Sequence, residues 1–254
     1  MDVGRTYVVL LLNVTQEATL LHPDGIALGL VADDTSRMDE PRDEAPHCCF
    51  DEWASANAAR ARKGRTAPIT RAVLEQLEDA GLDGRSLLDV GCGSGDLALG
   101  ALARGATRVD GIDLGAGAIG NARALAAERG LAERATFEVG DGSRAPLRPA
   151  DVVVLNRVVC CYPDATGLLD NALPAAGAIV ALSAPVDRGP AGLLNRAVTA
   201  VSNRWYGMRD AKYRGFRTFV HDLDAIDARV LAAGFSRRHR ARRRVVWEVA
   251  VYER

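Results

Sequence analysis

Two hydrophobic rhythms alternate between residues 66 and 185. In "TAPITRAVLEQLEDAG", Ile69, Val73, Leu74 and Leu77 recur at the spacing of one helical face, and Gly81 supplies a stop. "SLLDV" is a short apolar run and predicts a buried strand. The pair then repeats. "DLALGALARG" reads as a helix before the strand "RVDGIDL", and "GAGAIGNARALAAERG" as a helix before the strand "ATFEVGD". A fourth strand, "DVVVLNRVV", precedes the helix "DATGLLDNAL" and a fifth strand, "GAIVALSAP". Strand and helix in alternation predict a parallel sheet with crossover helices, an α/β fold.

Both ends depart from this rhythm. Residues 1–46 hold one apolar run, "YVVLLLNV", which reads as an extra strand or helix on the domain or as part of a misassigned start, and an acidic, apolar-poor stretch, "ADDTSRMDEPRDEAPH", which predicts a loose tail, so the extension is expected to be loosely ordered in part. The domain is expected over 47–254, with Met38 opening a plausible shorter chain and residues 1–37 dispensable. "DEWASANAARARK" reads as a leading helix with Asp51 as its cap. After the fifth strand, "GPAGLLNRAVTAVSNRWYG" predicts a helix with Leu194, Val198, Val201 and Trp205 on one side. A basic, aromatic stretch follows, so 187–220 reads as an inserted helical lid. "DLDAIDARVLAAG" is a further helix, with His221 and Asp222 at its start; "FSRRHRARRR" and "VVWEVAVYE" are two closing strands.

Composition narrows the function. The 254 residues carry a formal net charge of −1, which excludes a whole-molecule electrostatic binder of nucleic acid. The five cysteines show no CxxC spacing, so neither a zinc site nor a disulfide framework is indicated, and a reducing, cytoplasmic compartment fits. The run Tyr7–Val14 is too short to span a bilayer.

The chemistry gathers in "LLDVGCGSGDLALG". Gly91, Gly93 and Gly95 follow the first strand, but no Gly-Lys-Ser/Thr closes the loop, and Asp96 stands where a dinucleotide fingerprint has its third glycine. An acid there disfavours a phosphate ligand. Acids also end successive strands: Asp89, Asp113 in "GIDL", and Asp141 in "VGDG". Three carboxylates at neighbouring strand ends suit a ligand with a ribose, an amino group and a cationic part.

"LLDVGCGSG", "GIDL" and "VGDG" together resemble the class I S-adenosylmethionine-dependent methyltransferases. The resemblance covers the chain from about Phe50 onward. It implies a Rossmann-like, mostly parallel seven-stranded sheet with an antiparallel last strand, helices on both faces, and S-adenosylmethionine as cofactor. It also implies that Gly91, Cys92 and Gly93 pass the methionine part, with Asp89 and Gly95 in the same loop motif. Asp113 would hold the ribose, Leu114 pack on adenine, Asp141 and Gly142 bind the adenine edge, and Asn156 face the methionine end. Lys63 and Gly64 would lie toward the cofactor carboxylate. "FDEW", "LNRVVCCYPD" and "FVHDLDAIDARVLAAGF" are similar to the magnesium-protoporphyrin methyltransferases, and more loosely to quinone methyltransferases. That family has a histidine before Tyr-Pro where this chain has Cys161, so the architecture carries over and the porphyrin does not.

The resemblance implies an O-methyltransferase of a small apolar or aromatic acceptor, without metal. Arg157, Tyr162 and His221 are the candidates to meet that acceptor. Arg157 suits a carboxylate or a structural ion pair, Tyr162 the mouth or the core, and His221 catalysis or a helix cap. Cys160-Cys161 admits a metalloid acceptor, or two small buried hydrophobes. "RRHRARRR" admits RNA, or an edge strand protected by arginines. A catalytically silent cofactor-binding scaffold is the non-enzyme alternative.

Overall fold

A computed structural model describes residues 57–208 and 216–254. The expectations for Tyr7–Val14, the acidic stretch, Cys48, Cys49 and Asp51 lie outside these residues, as do Arg209, Lys212, Tyr213 and Arg214 of the inserted segment.

After a helical piece at 57–62, the chain runs α1 (Pro68–Asp79), β1 (Ser86–Val90), α2 (Asp96–Leu102), β2 (Arg108–Asp113), α3 (Ala116–Glu128), β3 (Ala135–Val139) and β4 (Ala150–Asn156). It continues with α4 (Ala165–Ala172), β5 (Ala176–Pro185), α5 (Gly189–Met208), α6 (Leu223–Ala232), β6 (Ser236–Arg243) and β7 (Trp247–Glu253). The seven strands lie in the order β3-β2-β1-β4-β5-β7-β6. The pairs among β1 to β5 are parallel, while β7 runs antiparallel to both β5 and β6. This is the Rossmann-like sheet expected from the sequence.

Alternation along the strands makes two apolar layers. Leu88, Val90, Val153, Leu155, Val180, Leu182 and Tyr252 pack with Leu168 and Leu169 of α4 and Ile226 and Val230 of α6. Their neighbours Leu87, Val109, Val152, Val154, Val249 and Val251 are equally buried, on the opposite side. There Gly100 of α2 lies against Leu74 of α1, and Gly111 of β2 against Phe137 of β3.

Local chemistry sets the boundaries. Pro68 opens α1, where its missing N–H costs nothing, and Gly81 follows it at φ +85°. Asp164 caps α4 through the Gly167 amide, and Asp222 caps α6 through the amides of Asp224 and Ala225. The arginine-rich strand β6 is an edge of the sheet. Arg237, Arg238 and Arg240 on it pair with Asp227, Glu253 and Glu248, so the edge is charged and partly tied down.

One expectation fails in α5. The face buried against the domain carries Ala191, Asn195, Val198 and Tyr206, while Val201 is 65% exposed. Asn195 turns the helix this way: its Nδ2 donates to the carbonyls of Val186 and Val246 at 2.7 and 2.9 Å. A polar side chain with two buried carbonyls to satisfy outranks the apolar stripe. Among the described residues no helix is long and apolar enough to cross a membrane.

Candidate active site

The parallel strands point their carboxyl ends to one rim, and the strand order reverses there between β1 and β4, the place where such sheets open a crevice. Val90, Gly91, Ile112, Asp113, Leu114, Gly140, Gly142, Val158, Cys161, Tyr162 and Leu168 line a recess there of about 410 Å³, counting the part open to solvent. Gly91, Asp113, Leu114, Gly142 and Tyr162 were expected at the site and meet at this recess. Val158, Ile112 and Leu168 were not, since an apolar wall gives no signal different from core; Cys161, weighed as a metalloid ligand or a small hydrophobe, lines it too.

The three loop glycines act differently. All have positive φ, which a side chain resists. A Cβ on Gly91 would meet Val158 at 2.3 Å, and one on Gly95 would meet Phe137 at 3.0 Å. These two let the loop pack down on the sheet. A Cβ on Gly93 would meet nothing within 4 Å. Gly93 therefore leaves open space, a cradle that a side chain would fill. Cys92 is buried beside it, and burial pushes its thiol pKa well up.

The strand-end acids are held in three ways. Asp113 clamps the loop: Oδ2 accepts from the Gly93 amide and Oδ1 from the Gly115 amide, both at 2.9 Å. Asp141 Oδ1 accepts from the amide and hydroxyl of Ser143, and the Tyr162 hydroxyl lies 3.0 Å from both Asp141 oxygens. Tyr162 thus stands at the Asp141 end of the recess. Asp89 is 1% exposed, and its Oδ1 has no hydrogen-bond partner. Burial, then the charges of Asp113 and Asp96, push its pKa to about 8.

The remaining candidates lie farther round. Asn156 Nδ2 donates to Thr70 Oγ1 at 3.1 Å and its Oδ1 accepts from Ser183 Oγ at 2.8 Å. Arg157 follows at φ +61°. His221 does not cap α6; its Nε2 lies 2.9 Å from the Tyr162 carbonyl, and its ring stacks on Phe219. Gly64 sits in a turn at φ +67° after the first helical piece, beside Lys63, and neither lines the recess. Asp96, half-buried at the start of α2, was read only as a bar to phosphate; desolvation raises its pKa too.

The inserted segment reaches this rim. Tyr206 and Phe216 meet edge to face at 5.0 Å, with Trp205 and Cys161 packed against them. The Phe219 amide donates to the Cys160 carbonyl, and Asn203 exchanges hydrogen bonds with the Thr218 backbone.

Residues 87–174, from β1 through the recess to the end of α4, match the family model described as a methyltransferase domain. Over these residues the chain carries a methyltransferase domain. Within the curated proteins, it is 38% identical over 128 residues to ribosomal protein L11 methyltransferase of Yersinia pseudotuberculosis serotype IB, strain PB1/+. That match covers 50% of this chain and 43% of the relative, so it spans less than half the relative's length. The magnesium protoporphyrin IX methyltransferase of Synechocystis PCC 6803, solved with bound SAH, aligns over 81% of this chain and 98% of its own, at 20% identity and a TM-score of 0.58. An O-methyltransferase family 2 protein of Planctomyces limnophilus DSM 3776, in complex with apigenin, aligns over 86% and 63%, at 18% identity and a TM-score of 0.57. At these identities the structural likeness is one of fold.

The methyltransferase domain offers groups that fit S-adenosylmethionine. The wall is apolar on the Val90, Ile112 and Leu168 side, two carboxylates flank it, Gly93 leaves a cradle, and a buried carboxylate oxygen lacks a partner.

Proposed function

We propose that this chain transfers a methyl group from S-adenosylmethionine to a carboxylate or hydroxyl oxygen of a small apolar or aromatic acceptor. The observation that carries the cofactor half is Asp113 lining one apolar recess beside the open Gly93, with Asp141 hydrogen-bonded to Tyr162 of the same lining. Asp113 would hold ribose hydroxyls, Ile112 and Leu114 the adenine faces, and Asp141 with Gly142 the adenine edge. The methionine part would run past Gly93, over the uncompensated Asp89. When bound, the cofactor supplies a sulfonium methyl that needs no further activation. The protein's task is then to hold the acceptor oxygen in line and keep water out.

The acceptor half rests on the inserted segment, which we read as a lid. Trp205, Tyr206 and Phe216 gather over Cys161, which itself lines the recess, so an aromatic wall adjoins the place where a methyl would be presented. Two of the structural neighbours are named for, or solved with, small aromatic molecules. The L11 methyltransferase match favours a second reading, a protein acceptor, but it reaches only half of this chain. The three described thiols, all free, suit a reducing compartment.

A panel of aromatic carboxylates and phenols, incubated with the protein and methyl-labelled donor, tests this beside ribosomal protein L11. Label in a small acceptor is expected. Label in L11 alone would replace the small-molecule reading, and donor binding with no transfer to any acceptor would indicate a scaffold.

A further inference from the structure

Three observations meet at Arg157. The first is its backbone. A residue with a side chain adopts positive φ at a cost, and keeps it only where the surroundings insist. Arg157 sits at φ +61°, its amide donating to the Ser183 carbonyl at 3.3 Å and to Ser183 Oγ at 3.0 Å. Ser183, 0% exposed, donates in turn to Asn156, which donates to the buried Thr70. A chain of buried hydrogen bonds across β5, β4 and α1 thus holds one strained residue.

The second is the guanidinium. It lies 5.8 Å above the Trp247 ring, and among the described residues it makes no ion pair. Arg148, Arg237 and Arg240 of the same domain each have a carboxylate. Burial pushes the Arg157 pKa down, only partly offset by the Cys160 and Cys161 thiols and by Asp96, with Arg60 adding to the repulsion. Among the described residues this half-buried cation rests on an aromatic face, with Asp96 acting at a distance and no carboxylate in contact.

The third is position. Arg157 immediately precedes Val158, which lines the recess, and Trp247 pairs with Pro185 at the carboxyl end of β5. The guanidinium therefore stands at the ligand rim, by β4, β5 and β7, on the side away from β2 and β3, whose ends carry Asp113 and Asp141.

We propose that Arg157 is a carboxylate-binding site at the acceptor side of the recess, held there by the strained turn after β4. A guanidinium fork matches a carboxylate through two parallel N–H···O bonds, and a dry aromatic floor strengthens both. The inference rests on the methyltransferase reading for its two sources of carboxylate: the amino-acid end of the cofactor, or an acid group on the acceptor.

The test uses calorimetry on the full chain. S-adenosylhomocysteine and its analogue lacking the α-carboxylate probe the first source. 2-Naphthoate and the neutral 2-naphthamide, with S-adenosylhomocysteine saturating, probe the second. The native protein is expected to favour the carboxylate over its neutral partner in one pair by about ten- to a hundredfold. Arg157→Asn, whose side chain tolerates positive φ, should abolish that preference while Arg157→Lys retains part of it. Loss confined to the first pair assigns the cofactor carboxylate, and loss confined to the second the acceptor. Equal affinities within both pairs for the native protein, or a preference unchanged in Arg157→Asn, would overturn the site. The native comparison needs no variant to fold. Failure of S-adenosylhomocysteine to bind would instead sink the methyltransferase reading, and the naphthoate pair, run without it, would still decide Arg157.

Discussion

Asp89→Asn should make the ligand-free protein more stable near neutral pH, although it removes a group from the site. The buried carboxyl titrates near 8, against 3.8 for an ordinary aspartate. An acid whose pKa is raised on folding must take up a proton to fold at any pH between those values. Its contribution is neutral below about pH 4, where both states are protonated. It turns progressively destabilising as pH rises toward 8 and is constant above. At pH 7 the interval from 3.8 spans about three units at 1.36 kcal/mol each, so the penalty is on the order of 4 kcal/mol. Asparagine has the same shape and no charge, so it should recover much of that. Urea unfolding of both proteins from pH 4 to 9 gives the difference directly. It should be near zero at pH 4 and grow to a plateau above pH 8. The same proton should leave when a cation binds, so calorimetric titration of S-adenosylmethionine at pH 7 should show proton release that differs between buffers and vanishes in Asp89→Asn. A stability difference that stays flat with pH would refute the reasoning, because it would mean that Asp89 is ionised in the empty fold.

Three further outcomes are expected. Asp113→Ala should weaken S-adenosylhomocysteine binding by about 1–3 kcal/mol and also lower the melting temperature, since the amides of Gly93 and Gly115 lose their acceptor; unchanged affinity by calorimetry would argue against a ribose contact. Gly93→Asn, chosen because asparagine tolerates φ +52° better than the branched valine would, should block cofactor binding while circular dichroism stays native. Val245→Gly, in the turn between β6 and β7, should stabilise the fold by about 1 kcal/mol, because a branched residue at φ +67° that is 73% exposed contributes strain and no packing; a lower melting temperature would show that Val245 is covered.

The sheet was legible because each of its signals is local. Short apolar runs, the bare loop after β1 and the acid closing each strand survive in a single sequence. What stayed hidden depends on contacts across tens of residues. Thr70, Asn156 and Ser183 form one chain of hydrogen bonds, yet nothing in their spacing links them. Tyr162 was expected to meet an acceptor, and nothing in "CYPD" foretells that its hydroxyl reaches Asp141. His221 was weighed as a cap because it adjoins a helix start, whereas that role falls to Asp222, one residue on. In α5 the apolar periodicity chose a stripe containing Val201, because a helical wheel counts Asn195 as polar and cannot see the two carbonyls that pull it inward.

Tyr162 is tied at both ends. Its hydroxyl reaches Asp141, and its carbonyl lies against His221, which leads out of the inserted segment into α6. Two regions far apart in the chain are thereby made to share one residue's conformational freedom. A molecule that settles beside Asp141 and steadies the ring also steadies the peptide that His221 must find. Linkage makes the effect mutual, so closing the far side tightens the near one by the same factor.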